Sequence, residues 1–281
     1  MSDSQSTAER PPLTLHVDDG IAVVTLDRPS SFNAIDLELA RALLAAATAI
    51  AGDGGVRAVL LRGAGRSFCA GGDVKAMQAH AHDLPGFIGQ VIDAFHGAVL
   101  ALARLPVPVL AAVQGAAAGG GFSLAMAADL VIAARSARFV VAYPQLGAST
   151  DGGLSWQLQQ RLGAPRALAL LTLQGALTAQ AAADAHLVHA VVDDELLPSD
   201  ARRQVQAWAA LPPQALRELK GLLRAPGLDG LAQQLAREKA AFLRCAATPD
   251  FAARVAAFAA RGASTFAARG ASTFAARGAA T

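Results

Sequence analysis

The residues best placed for chemistry sit in two glycine-rich turns, each following an apolar run. Ser67-Phe68-Cys69-Ala70-Gly71-Gly72-Asp73 follows Ala58-Val59-Leu60-Leu61, and Gly115-Ala116-Ala117-Ala118-Gly119-Gly120-Gly121-Phe122-Ser123 follows Val109-Leu110-Ala111-Ala112-Val113. Glycine lets a backbone approach a ligand closely, and a strand-to-helix turn leaves the first helical N–H groups without intrahelical partners. Two such turns meeting in space can aim two N–H donors at one oxygen. That is an oxyanion hole, often the largest single contribution in acyl chemistry. Either turn alone reads as a tight connection using glycine for close packing; the pair points to chemistry.

Other chemistries fit less well. Gly121-Phe122-Ser123-Leu124-Ala125 lacks the last glycine of a Gly-x-Ser-x-Gly nucleophile elbow, and no suitable His and acid follow in that fold's order. The triple glycine misses the dinucleotide fingerprint, because Leu124 stands at the third glycine position. Cys69 and Cys245 have neither disulfide nor metal-ligand spacing, which predicts a reducing, cytoplasmic location and no metal site.

The elements that must hold these turns follow from apolar spacing. Leu13–His16 and Ile21–Leu26 flank the hairpin signal Asp18-Asp19-Gly20. A helix is predicted from about Asp36 to Ile50, a buried strand over Val56–Leu61, and an amphipathic helix from about Pro85 to Leu102, ended by Pro106 and Pro108. Strand Val109–Val113 then leads through the triple glycine into a helix over Phe122–Ala128. Strands Leu130–Ala134 and Phe139–Val141, helices near Leu154–Leu162 and Pro165–Leu173, and a short strand Ala190–Val192 complete the core. A stack of ββα turns fits this rhythm: an α/β core over 13–197, after a disordered lead-in over 1–12. A helical region over 198–262 and a repeat tail over 263–281 follow. The tail contains near-copies of Phe258–Thr265 whose glycines break helices and which carry no chemistry.

With 53% hydrophobic and only 16% charged residues, a large core is available and apolar surface is left to bury between subunits. The net charge of +2 is supplied by Arg269 and Arg277 in the tail, so the body is neutral and carries no nucleic-acid footprint. No signal-peptide core or long uninterrupted apolar run is visible, which predicts no membrane association. Leu216, Leu219, Leu222 and Leu223, among alanines and few charges, predict an oligomer.

Three stretches together resemble the enoyl-CoA hydratase/isomerase (crotonase) family over roughly Leu13 to Arg261. They are Leu26-Asp27-Arg28-Pro29 with Asn33-Ala34, the Ser67–Asp73 turn, and Pro108 to Asp129 with its triple glycine. The resemblance implies a crotonase-like ββα spiral with a helical C-terminal trimerisation region, assembled as a homotrimer or homohexamer. It also implies an acyl-CoA thioester substrate and no separate cofactor. By position, the N–H groups of Gly72 and Gly120 would receive the thioester oxygen. The segment Ala70-Gly71 with Asp73 would lie along the bound substrate, Ala70 at the adenine end, and Arg28 would contact the CoA phosphates or form a surface salt bridge.

Hydratases of the family use two glutamates, and the matching positions here carry Ser123 and Tyr143, neither of which replaces a carboxylate base at its ordinary pKa. Asp151, in Gly147-Ala148-Ser149-Thr150-Asp151-Gly152-Gly153, instead stands where single-carboxylate members place their catalytic acid, such as the ring-modifying isomerase of phenylacetate breakdown. It also reads as an N-cap for a helix near Leu154. The favoured expectation is an isomerase in which Asp151 takes a proton γ to the carbonyl and returns one at the α carbon, with Tyr143 lining the acyl site. The alternatives are hydration, a non-catalytic acyl-CoA binder, and a 4-chlorobenzoyl-CoA dehalogenase-like displacement. The last has Asp151 as nucleophile and His96 as base, and His96 also reads as a satisfied core residue.

Overall fold

A computed structural model describes residues 11–261. The chain opens with the hairpin β1 (Leu13–Asp18) and β2 (Ile21–Leu26), paired antiparallel so that Leu13 faces Leu26 and Asp18 faces Ile21. Helix α1 (Leu37–Gly52) starts at Asp36, whose carboxylate accepts the Leu39 N–H at 2.8 Å, a cap worth about 1 kcal/mol. It carries the chain to β3 (Ala58–Gly63), parallel to β2. Two helices, α2 (Val74–Ala79) and α3 (Leu84–Arg104), then cross to β4 (Val109–Val113), parallel to β3. Parallel neighbours require such crossovers, and strands covered on both faces read as unbroken apolar runs. β4 is buried at every position.

From β4 onward each turn of chain gives one strand to each of two sheets. After β4, β5 (Ala116–Ala118) joins the smaller sheet and α4 (Gly120–Ala127) follows; β6 (Leu130–Ala134) then returns to the larger sheet and β7 (Arg138–Val140) to the smaller. Helices α5 (Leu154–Leu162) and α6 (Ala164–Ala169) lead to β8 (Ala176–Thr178), α7 (Ala179–Asp184) and β9 (Ala190–Val192). The larger sheet runs β1-β2-β3-β4-β6-β9 and the smaller β5-β7-β8. This is the expected ββα spiral. Helices α8 (Leu197–Ala209), α9 (Pro213–Ala246) and α10 (Pro249–Arg261) form the helical C-terminal region.

The second glycine turn differs from its expectation. Its three alanines form β5, because their small side chains let the backbone pair with β7 on one side and, through the Cys69–Ala117 bridge, with the first glycine turn on the other. Helix α4 therefore begins at Gly120 rather than Phe122. Elements of three or six residues, namely α2, β8 and α7, are too short to impose a period on the sequence. Helix α3 with the turn before it is long and apolar enough by composition to cross a bilayer, against the sequence expectation. Half of that apolar window is buried inside the protein, where α3 packs on α1 and α9 as a core helix. The lead-in, apart from Pro11 and Pro12, and the repeat tail lie outside the described residues.

Candidate active site

Asn33, fully buried, builds the first glycine turn. Its side-chain NH2 faces the carbonyls of Ala64, Ser67 and Phe68 at 2.9–3.1 Å, and its Oδ1 accepts the Arg28 N–H at 2.9 Å. The Ile35 N–H donates to Gly71 O at 2.7 Å and the Asp73 N–H to Ile35 O at 2.9 Å, which stitches the turn to the segment before α1. Gly71 has φ +91, and a Cβ there would stand 2.6 Å from Ala118 O, so only glycine fits.

The same close approach joins the two turns. Cys69 N–H donates to Ala116 O at 3.0 Å, and Ala118 N–H to Cys69 O at 2.9 Å. A Cβ on Gly121 would fall 2.1 Å from Cys69 O, so its absence lets α4 start against the first turn. A Cβ on Gly120 would stand 3.9 Å from Gly71 Cα, which puts Gly120 beside the Gly71–Gly72 peptide. No protein acceptor among the described residues takes the Gly72 or Gly120 N–H, and both residues line a cavity of about 590 Å³. Gly120 is the first residue of α4, where the helix dipole also favours negative charge. Two unspent donors on one cavity wall can polarise a carbonyl.

Asp151 lines the same cavity and is 9% exposed. Its Oδ1 accepts the Tyr143 hydroxyl at 2.7 Å, while its Oδ2 has no protein partner among the described residues. No buried side-chain polar atom there lacks a partner, so Oδ2 is an open oxygen rather than a sealed one. Burial pushes the carboxyl up to about 7; the Tyr143 hydrogen bond lowers it and the charge of Glu238 raises it further. Tyr143 is itself pushed up by burial and by the Asp151 charge, so it stays a donor. Ser123 and Tyr143 meet at 2.7 Å, and the Ser123 hydroxyl also reaches the Asp151 carbonyl at 2.9 Å. These two side chains are thus committed to each other and to Asp151. Asp151 does not cap α5 with its side chain; Gly153, with φ +78, stands at that N-cap.

The other sequence-derived candidates divide. Ala70, Gly71, Asp73 and Tyr143 all line the cavity. Asp73 caps α2 through Oδ1 and pairs with Arg28 through Oδ2 at 3.1 Å, so its oxygens are occupied. Arg28 does not line the cavity. Its guanidinium pairs with Asp36 at 2.8 Å and with Asp73, and donates to Ala34 O, which makes it a brace under the turn rather than a free phosphate contact. His96 also stays out of the cavity. Its Nε2 accepts the Gly152 N–H at 3.0 Å, and burial holds the ring down to about 4, so it is a neutral acceptor beneath the Asp151 turn rather than a base facing a ligand.

Sequence reasoning missed three groups. Arg66, Lys75 and Arg138 line the cavity as its cations, with Arg66 stacked 4.6 Å above the Phe32 ring. Isolated basic residues far apart in sequence carry no signal of convergence. Asn33 bears the turn, as described above. Glu238 of α9 accepts the N–H groups of Gly153 at 2.7 Å and Ser155 at 3.0 Å. Its signal was legible: it stands in phase with Leu231, Leu235, Phe242 and Ala246, a charge on an otherwise apolar buried face.

Paired glycine donors over an apolar cavity suit a carbonyl carried on an apolar group, and similarity to known proteins gives the class. The enoyl-CoA hydratase/isomerase family model matches residues 16–269, and the chain belongs to that family, the crotonase family. It is 34% identical over 247 residues to the 1,2-epoxyphenylacetyl-CoA isomerase of Escherichia coli (strain K12), covering 88% of this chain and 94% of that one. It is also 34% identical to a probable enoyl-CoA hydratase of Rhodobacter capsulatus, over 86% of this chain and 92% of the relative. The crystal structure of an enoyl-CoA hydratase from Mycobacterium avium subsp. paratuberculosis K-10 superposes with a TM-score of 0.81 at 30% identity, covering 89% of this chain and 99% of that one. The protein is therefore an enzyme of this family, acting on acyl-CoA thioesters.

Proposed function

We propose that this chain is an enoyl-CoA isomerase with Asp151 as its single proton carrier. One observation carries the reading: of the two carboxylates that line the cavity among the described residues, Asp73 is consumed by the α2 cap and Arg28, leaving Asp151 with an open oxygen. The thioester oxygen is received by the N–H groups of Gly72 and Gly120. Asp151 removes a proton from the saturated end carbon of the three-carbon C=C–C unit, γ when the double bond is conjugated with the carbonyl and α when it lies one bond further out. The C–H electron pair moves through the carbon frame to the thioester oxygen, giving a dienolate. The protonated Asp151 then returns its proton at the other carbon, the double bond having moved, and the carboxylate is restored. A carboxyl near pH 7 suits both halves of that transfer.

The apolar wall of Met77, Ile88, Ile92, Phe95, Leu146 and Phe242 supports a hydrocarbon acyl group, and Arg66, Lys75 and Arg138 support contacts to the CoA phosphates. Similarity to a relative named 1,2-epoxyphenylacetyl-CoA isomerase supports isomerisation of an acyl-CoA, and relatives named enoyl-CoA hydratases support an enoyl-CoA substrate. Hydration requires a second group to hold water, and Ser123 and Tyr143 are bonded to each other and to Asp151. We propose assembly into a trimer or hexamer, supported by Leu219, Leu222 and Leu223 of α9, which are 57–78% exposed in the single chain.

The test incubates protein in heavy-oxygen water with 3-enoyl-CoA, 2-enoyl-CoA and 4-chlorobenzoyl-CoA separately. Bond migration without oxygen uptake, abolished by Asp151→Asn, is the expected result. A hydroxyacyl product from 2-enoyl-CoA that survives Asp151→Asn would overturn the assignment, and chloride release would favour displacement.

A further inference from the structure

Helix α9 carries a buried carboxylate that the proton transfer does not use. Glu238 is 4% exposed and does not line the cavity, yet four donors converge on it. Oε2 takes the Gly153 N–H at 2.7 Å; Oε1 takes the Ser155 N–H at 3.0 Å, the Ser155 hydroxyl, and the Thr150 hydroxyl at 3.4 Å. Gln234, one turn earlier on α9, donates to Ser155 Oγ at 2.9 Å, which orients that hydroxyl toward Glu238. No cation pairs with Glu238 among the described residues. Every donor belongs to the segment 150–155, the turn that bears Asp151. An apolar residue in this phase of α9 would pack as Leu235 and Phe242 do, so the carboxylate is retained at a desolvation cost that packing alone does not explain.

We propose that Glu238 is a positioning residue: it clamps both sides of the Asp151 turn and sets the environment in which Asp151 gives and takes its proton. This rests on Asp151 being the proton carrier. Charged and titratable groups around Asp151 come from three directions. Tyr143 bonds it directly, Glu238 faces it from α9, and His96 holds the next residue from α3, with Asp93 and Lys239 paired beyond His96. Burial pushes the Glu238 carboxyl up while the hydrogen bonds from Ser155, Gly153 and Thr150 draw it down; among the described residues it is the carboxylate whose charge favours a protonated Asp151.

The experiment compares Glu238→Gln and Glu238→Asp with the unsubstituted full-length protein. Measurements are kcat and KM for 3-enoyl-CoA across pH, and amide hydrogen exchange read by mass spectrometry. Glu238→Gln places an NH2 where one set of donors must be met. The expected results are a kcat about ten- to a hundredfold lower, an unchanged KM, and an acidic limb of the kcat profile moved to lower pH. Exchange should rise in the peptide covering residues 150–155 while the rest of the chain keeps its protection. Glu238→Asp keeps the charge but shortens the reach, so the limb should return while kcat stays low. If Glu238→Gln fails to fold, the low kcat at unchanged KM in Glu238→Asp decides the question. Normal kcat, limb and exchange in a folded variant would overturn the proposal, as would exchange rising equally throughout the chain. Asp151→Asn run in parallel separates the two readings. An active Asp151→Asn defeats the proton-carrier assignment, whereas an inactive one beside normal Glu238 variants defeats only the clamp. The exchange measurement holds whichever acyl-CoA is turned over.

Discussion

Replacing Asp151 by asparagine should make the protein more stable as it makes it inactive. Asparagine keeps an Oδ1 that accepts the Tyr143 hydroxyl and fills the same volume, but it cannot ionise. The Asp151 carboxyl is raised from 3.8 to about 7 in the folded chain. A raised carboxyl contributes stability that is fully present below the unfolded pKa and lost as pH rises through the folded one. The interval from 3.8 to about 7, at about 1.4 kcal/mol per pH unit, amounts to roughly 4 kcal/mol once both states are ionised. The advantage of Asp151→Asn over the unsubstituted protein should therefore grow by about 2 kcal/mol between about pH 5.5 and about pH 8.5. Denaturant unfolding of both proteins at those two pH values and one protein concentration measures it. Isomerase activity at the same pH values should fall by a factor on the order of a hundred or more. A variant that is less stable at high pH, or whose gain does not depend on pH, would refute the picture of a carboxylate kept in the cavity against its own solvation.

Tyr143→Phe removes the hydrogen bond that lowers the Asp151 carboxyl, so the acidic limb of kcat should move above about pH 7, read from a pH–rate profile. Gly120→Pro keeps a residue that suits the first helical position but deletes one donor. Steady-state assay should show kcat reduced about a hundredfold with the fold retained by circular dichroism. Arg28→Ala should lower stability by about 1–3 kcal/mol, since it leaves two partly buried carboxylates unpaired, while KM for acyl-CoA changes little. A large rise in KM without loss of stability would return Arg28 to a phosphate contact.

The order of the core was legible because its strands are buried on both faces and its long helices are amphipathic. β4 reads as five apolar residues, and α3 presents Phe87, Ile88, Ile92, Phe95 and Val99 at helical spacing. The two glycine turns were legible for a related reason: backbone brought within 2.1–2.6 Å of an imagined Cβ admits one residue type, so the constraint is written in the sequence as glycine. Asp151 could be picked out only through the family pattern. Its open Oδ2, its bond to Tyr143 and the neutral role of His96 depend on which atoms face which, and local sequence does not encode that. Arg28 shows the limit most plainly. A lone arginine on a motif reads either as a phosphate contact or as a salt bridge, and only folding, which brings the acids at 36 and 73 together around it, decides for the ion pairs. Glu238 lies 87 residues beyond Asp151 and reaches its turn because α9 packs back across α3; the sequence marks it as a charge out of place, and the tertiary structure supplies the four donors that give the charge its use.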